Sequence, residues 1–121
     1  MRGRIYLQRG DAMNAQFKKG VLELIVLLSL NNKDKYGYEL VSEVGKIVDV
    51  NEGTLYPLLR RLTNEHYFET YLVESKEGPS RKYYRMTAIG KERMKALLED
   101  WHTFYERVNR FIEESDTDEK R

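Results

Sequence analysis

No cysteine occurs among the 121 residues, which excludes disulfides, thiolate nucleophiles and Cys-containing zinc sites and agrees with a reducing cytoplasm. Histidine is nearly absent too: only His66 and His102 occur, with no clustered metal ligands and no glycine-rich loop to cradle a phosphate. An enzyme is therefore not expected, and neither is a metal or other cofactor. Long apolar runs are also missing. The longest, Val21 to Leu30, is about half a membrane span and is interrupted by Glu23. Met1 to Asn14 has basic residues but no apolar segment behind them, so neither a secretory signal nor a membrane partner is expected. The chain reads as soluble and cytoplasmic. An excess of one charge sign is lacking as well, since the net charge is +1 although 34% of residues are charged. The first 87 residues carry a small positive excess and the rest a small negative one, so any affinity for a polyanion has to come from placement rather than totals.

What is present is concentrated in residues 53–62, Gly-Thr-Leu-Tyr-Pro-Leu-Leu-Arg-Arg-Leu. Leu55, Leu58, Leu59 and Leu62 share one face of a short helix. Pro57, Arg60 and Asn64 project from the opposite face, with Tyr56 and Arg61 on its flanks. Such a helix suits the major groove of DNA, where arginine pairs with guanine edges or phosphates while the leucines fix the angle of presentation. The same pattern also describes an ordinary amphipathic surface helix, so the decision rests on its neighbours.

Those neighbours form an ordered series within a chain long enough for one domain. Residues 1–14 read as a flexible basic arm, with Met13 as an alternative start. Ala15 to Leu30 forms a helix apolar nearly all round, which asks for cover on both sides. A polar loop spans Asn31 to Lys35, and a second helix opens at Tyr36 and runs to about Val48, with Tyr38 near its start and Leu40, Val41, Val44 and Val48 inward. Asn51 is placed to cap the third helix; Pro57 then lies far inside it, which leaves its start open between Asn51 and Thr54. Phe68 to Glu74 and Lys82 to Met86 have strand composition, and the Gly-Pro loop Ser75 to Arg81 joins them into a hairpin with Lys76, Arg81 and Lys82 at a basic tip. Thr87 caps a last helix over 88–113, and 114–121 reads as an acidic, frayed tail.

Helix, helix, helix, hairpin is the order of a winged helix-turn-helix. The expected fold is mainly α with a small β-hairpin: a DNA-binding unit over 15–87 followed by a long C-terminal dimerisation helix. Tyr38, Asn51, Thr54, Tyr56, Pro57, Arg60, Arg61 and Asn64 are the candidate DNA contacts of the helices, and Lys76, Arg81 and Lys82 those of the wing. Loop cations that merely keep an edge hairpin soluble are the alternative. In the last helix Met94, Leu97, Trp101, Phe104, Val108 and Phe111 repeat at alternating intervals of three and four, a heptad seam, with Leu98, Tyr105 and Ile112 one position along. So much apolar surface needs cover, from the first helix (Phe17, Val21) of the same chain, of a partner chain, or of both. A homodimer would set two recognition helices about one DNA turn apart on double-stranded, pseudo-palindromic operator DNA. Trp101 is an anchor of that seam or, with its copy across a gap, a platform for a flat aromatic or cationic ligand, flanked by Phe17, Val21, Leu97 and Tyr105. A ligand sensor or protein-interaction module built around Trp101 is accordingly the alternative function.

Four motifs in order then match one family. Gln16-Phe17-Lys18-Lys19-Gly20-Val21-Leu22-Glu23-Leu24, Tyr36-Gly37-Tyr38-Glu39-Leu40, the stretch Gly53 to Leu62, and Arg81-Lys82-Tyr83-Tyr84 with Met86-Thr87 and Gly90 resemble PadR-family transcriptional regulators over about residues 15–112. The single last helix is similar to that of the small subfamily. The resemblance implies a cytoplasmic homodimeric repressor that leaves its operator when an effector binds or the cell is stressed. It puts Tyr38, Thr54, Tyr56, Arg60 and Arg61 on the DNA-facing helices, and Lys76, Arg81 and Lys82 on the wing. It also puts Trp101 where some small members hold planar drugs between paired tryptophans. One departure stands out: His66 occupies a position where the family usually has glycine, which allows a left-handed helix end.

Overall fold

The computed structural model describes the backbone of residues 15–120 and the side chains of residues 21–116. The arm expected over 1–14 and the side chain of Phe17 lie outside the described residues. Helix α1 (Ala15–Ser29) buries Leu22, Leu24, Val26 and Leu27, half-buries Val21 and Ile25, and leaves Leu28 39% exposed. Its open C-terminal end is closed by Lys35, whose ammonium donates to the Ser29 carbonyl and to Glu43 Oε1, each at 2.6 Å. That tether draws the following chain back along the domain. Lys35–Tyr36 thereby forms a short strand β1, which pairs with Tyr84 and Tyr83 in place of the loop end expected at Lys35 and the helix start expected at Tyr36. Two residues are too few to leave an alternating pattern in a sequence.

Helix α2 (Gly37–Val48) turns Leu40, Val41, Val44 and Val48 inward and ends on Asp49 in the left-handed region, φ 54°. Helix α3 (Glu52–Asn64) is capped by Asn51, whose side-chain oxygen accepts the Thr54 N–H at 3.1 Å. The helix runs through Pro57, which settles the boundary the sequence leaves open. Proline there removes one N–H and crowds the carbonyl four residues back, which belongs to Gly53. Leu55, Leu59 and Leu62 are buried and Leu58 packs half-buried beside them. Each fully buried leucine contributes roughly 1.5–3 kcal/mol relative to an exposed one.

The chain leaves α3 through His66, at φ 66°. The His66 N–H donates to the Thr63 carbonyl and the Tyr67 N–H to the Leu62 carbonyl, the paired bonds of a Schellman helix end. Strands β2 (Phe68–Ser75) and β3 (Gly78–Met86) follow, and the antiparallel sheet has the order β1-β3-β2. Ser75 pairs with Gly78, so the turn is only Lys76-Glu77. The expected seven-residue basic tip is corrected on this point. Arg81 and Lys82 are strand residues opposite Val73 and Leu72, not loop residues. Pro79 is tolerated in β3 because β1 reaches only Tyr83 and Tyr84, which leaves that side of Pro79 unpaired.

Helix α4 (Ala88–Lys120) begins at the Thr87 cap, whose hydroxyl accepts the Gly90 N–H at 3.0 Å. It runs on through the stretch expected to fray from Glu114. The one core gathers α1, α2, α3, the inner face of the hairpin (Phe68, Tyr84) and Met94 of α4.

Candidate nucleic-acid interface

The leucine face of α3 is buried, so its outer face is presented. Thr54, Pro57, Arg60 and Asn64 are exposed, and among the described residues Arg60 makes no ion pair. Tyr56 is half-buried on the flank, where a Cβ on Gly37 would stand 3.6 Å from its ring. Burial, and then the charge of Glu52, raise its hydroxyl pKa, so it stays a neutral donor. Tyr38, 61% exposed at the start of α2, borders a notch between α2 and α3 that is also lined by Ser42, Lys46, Asn51 and Gly53. Asn51 is exposed, but its side-chain oxygen is engaged as the cap.

The two adjacent arginines part company. Arg61 turns toward α1, donating to Glu23 at 3.2 Å and to Glu65 at 3.1 Å. Glu23 also accepts from Arg93 of α4 at 2.8 Å. Burial alone would raise the Glu23 carboxyl; Arg93 and Arg61 outweigh it and hold the pKa below the ordinary value of 4.5. In the sequence Glu23 stands out as a charge interrupting an apolar run and as part of the first family motif, with no partner assigned to it. The signal was there, because a carboxylate on a covered helix needs partners.

On the wing Lys76 stands exposed at the turn, and Lys82 is exposed on β3. The Arg81 guanidinium lies 4.6 Å above the Tyr36 ring, an arrangement the sequence did not disclose. Tyr36, Tyr83 and Tyr71 cross the outer face of the sheet in one row, with ring centroids 5.8 Å and 5.6 Å apart. Arg85 closes the row over Tyr71 at 4.6 Å and pairs with Asp34 and Glu69. The face therefore gathers Tyr38, Thr54, Pro57, Arg60 and Asn64 on the helices, with Lys76, Arg81 and Lys82 displaced along the hairpin. Arg61 is withdrawn to the interhelical side.

The heptad stripe of α4 divides near Trp101. Met94 is buried, while Leu97, Leu98 and Trp101 pack half-buried on the chain's own core. Every described side chain from His102 to Asp116 is exposed, including Phe104, Tyr105, Val108, Ile112 and, at 70%, Phe111. The Trp101 and Tyr105 rings lie 5.9 Å apart at the boundary. Among the described residues no helix is long and apolar enough to cross a membrane, and no cluster of three or more His, Asp or Glu is placed to hold a metal ion.

Comparison with known proteins agrees with this geometry. Residues 26–96 match the transcriptional regulator PadR-like family. A PadR-like transcriptional regulator of Bacillus cereus is 37% identical and superposes with a TM-score of 0.73 over 81% of this chain and 97% of its own. A PadR family transcriptional regulator of Eggerthella lenta is 27% identical, with a TM-score of 0.74 over 90% of this chain and 96% of its own. An uncharacterized protein of Lysinibacillus sphaericus is 33% identical over 99 residues, 78% of this chain and 91% of that protein.

Proposed function

The chain belongs to the PadR-like family of transcriptional regulators, and from that membership we propose that it acts in the cytoplasm as a homodimeric repressor on a pseudo-palindromic operator. It is a DNA-binding regulator and not an enzyme. The observation that carries the reading is the division of α3: three leucines buried, and Arg60 outside with no carboxylate on it among the described residues. Thr54, Tyr56 and Asn64 flank Arg60 for base or phosphate contact, Tyr38 adds a contact from α2, and the wing cations reach the flanking backbone. The uncovered stripe from Phe104 to Ile112 supports dimerisation, with Leu97, Leu98 and Trp101 at its inner end and Met94 beneath them.

Selection of binding duplexes from a random-sequence library tests this. The expected product is a two-fold repeat with half-sites about one turn apart. Arg60→Ala should weaken binding and lower the slope of log affinity against log salt by roughly 0.9, one phosphate contact. Recovery of no preferred sequence at moderate salt would refute the DNA reading.

Relief of repression by a flat aromatic or cationic effector at the seam is a second element of the proposal, supported by Trp101 and Tyr105 at the edge of the exposed stripe. Because Trp101 is the single tryptophan, its fluorescence reports directly. Quenching by planar aromatic cations is expected. Unchanged emission across a broad aromatic panel would leave Trp101 as a packing anchor.

A further inference from the structure

Thr87, Gly90 and Arg93 follow one another at intervals of three on one face of the first turns of α4, and all three meet the C-terminal end of α3 or the turn beyond it. The Thr87 hydroxyl donates to the His66 carbonyl at 2.7 Å, and the Thr87 N–H to the Tyr67 carbonyl at 3.0 Å. Gly90 comes so near that a Cβ would stand 2.2 Å from the Tyr67 carbonyl oxygen. Arg93 lies 5.9 Å from the Tyr67 ring centroid and donates through Nε to Glu23 Oε2. The other oxygen of Glu23 takes Arg61 of α3, whose second nitrogen continues to Glu65. One carboxylate of α1, with its side chain 18% exposed, is thus divided oxygen by oxygen between α3 and α4.

We infer that Glu23 is a positioning residue that ties the recognition helix to the dimerisation helix, so that the angle at which Arg60 meets DNA is set from the seam. The inference rests on the DNA-interface reading above. A glutamate suits this task because each of its oxygens accepts from a separate arginine. Glutamine has nearly the same shape but offers one acceptor and one donor, so one arginine would face an N–H. Arg61 then serves DNA recognition through Glu23 and not by touching DNA, which separates it from its neighbour Arg60.

The test titrates the wild-type protein and the variants Glu23→Gln, Arg93→Gln, Arg61→Gln and Arg60→Ala against the duplex selected by the wild type. Several salt concentrations are used, with thermal midpoints and sedimentation measured alongside. Glu23→Gln, Arg93→Gln and Arg61→Gln should each weaken binding by roughly 3- to 30-fold with the salt slope unchanged. Arg60→Ala should lower that slope. Glu23→Gln combined with Arg93→Gln should cost less than the two separate losses together, because both open the same link. Should Glu23→Gln fold poorly, Arg93→Gln at its partly exposed position carries the test. Wild-type affinity in both variants overturns the inference, as does a slope in Arg61→Gln that falls like that of Arg60→Ala. A wild type that selects no duplex overturns the DNA reading and this inference with it.

Discussion

A methyl group at position 90 has nowhere to go: its Cβ would stand 2.2 Å from the Tyr67 carbonyl oxygen and 3.0 Å from the Met86 side chain. Carbonyl backbone does not yield as a flexible side chain does, so Gly90→Ala has to push α4 off the turn after α3. The expected loss is about 1–3 kcal/mol of stability, the usual cost of overpacking, read by denaturant unfolding. At this scale the sequence was uneven. The Asn51 and Thr87 caps were legible, because capping needs only a residue type and a helix start, and both accept the N–H three residues on. His66 was legible as a departure, and its φ of 66° shows that the left-handed helix end is kept without glycine. The separation of Arg60 from Arg61 was not. Adjacent helical positions differ by about 100° in direction, and which of the two finds a carboxylate depends on where α1 lies.

Among the elements, α2 and α3 follow from apolar spacing alone, because each buries the face its leucines and valines mark. Helix α1, apolar nearly all round, was legible as a helix but not in which side is covered: Leu22, Val26 and Leu27 are buried and Leu28 is 39% exposed. The hairpin was legible as a hairpin but not in its register. Its turn closes on Lys76-Glu77 and a register shift falls between Val73 and Ser75, so the Gly-Pro signal marks the start of a strand and not the middle of a loop. Strand β1 and the link among α1, α3 and α4 depend on contacts remote in sequence, which no local pattern contains. That link gives an acid-side prediction. Burial raises the Glu23 carboxyl and the two arginines lower it further than burial lifts it, so the folded pKa lies below the unfolded one. The stabilisation it brings is complete above the ordinary value of 4.5 and is lost as pH falls through the lowered value. Glu43, lowered first by Lys35 and then by Ser29, adds to the same limb. Stability measured from pH 6 downward should fall on the acid side, and Glu23→Gln should make that fall shallower. An acid limb of unchanged steepness in Glu23→Gln would remove Glu23 from this account.

For the whole molecule, the heptad spacing of α4 foretold an apolar stripe and could not say how far the chain's own core would cover it. Cover ends at Trp101, and the side chains from His102 to Asp116 are all exposed. Phe111, at 70% exposure, is the most open large apolar residue of α4. Placing a charge there opposes association without disturbing the core. Phe111→Glu should shift the protein from dimer to monomer by sedimentation, with the thermal transition of the residues 21–101 core retained, and should weaken operator binding at least tenfold. A variant that stays dimeric would put the seam elsewhere.

The unbroken run of α4 from Ala88 to Lys120 has a mechanical side. At about 1.5 Å per residue, the far end stands roughly 45 Å from Gly90, whereas Arg93 is only about 4.5 Å away. Pivoting on the tight Gly90 contact, the helix is a lever with arms in a ratio of roughly ten to one. A tilt of about 5° sweeps the tip through nearly 4 Å and moves Arg93 by about 0.4 Å. A modest sideways force at the tip is carried in part by the core beneath Met94, Leu97, Leu98 and Trp101, and what reaches Glu23 is a displacement smaller than an atomic radius.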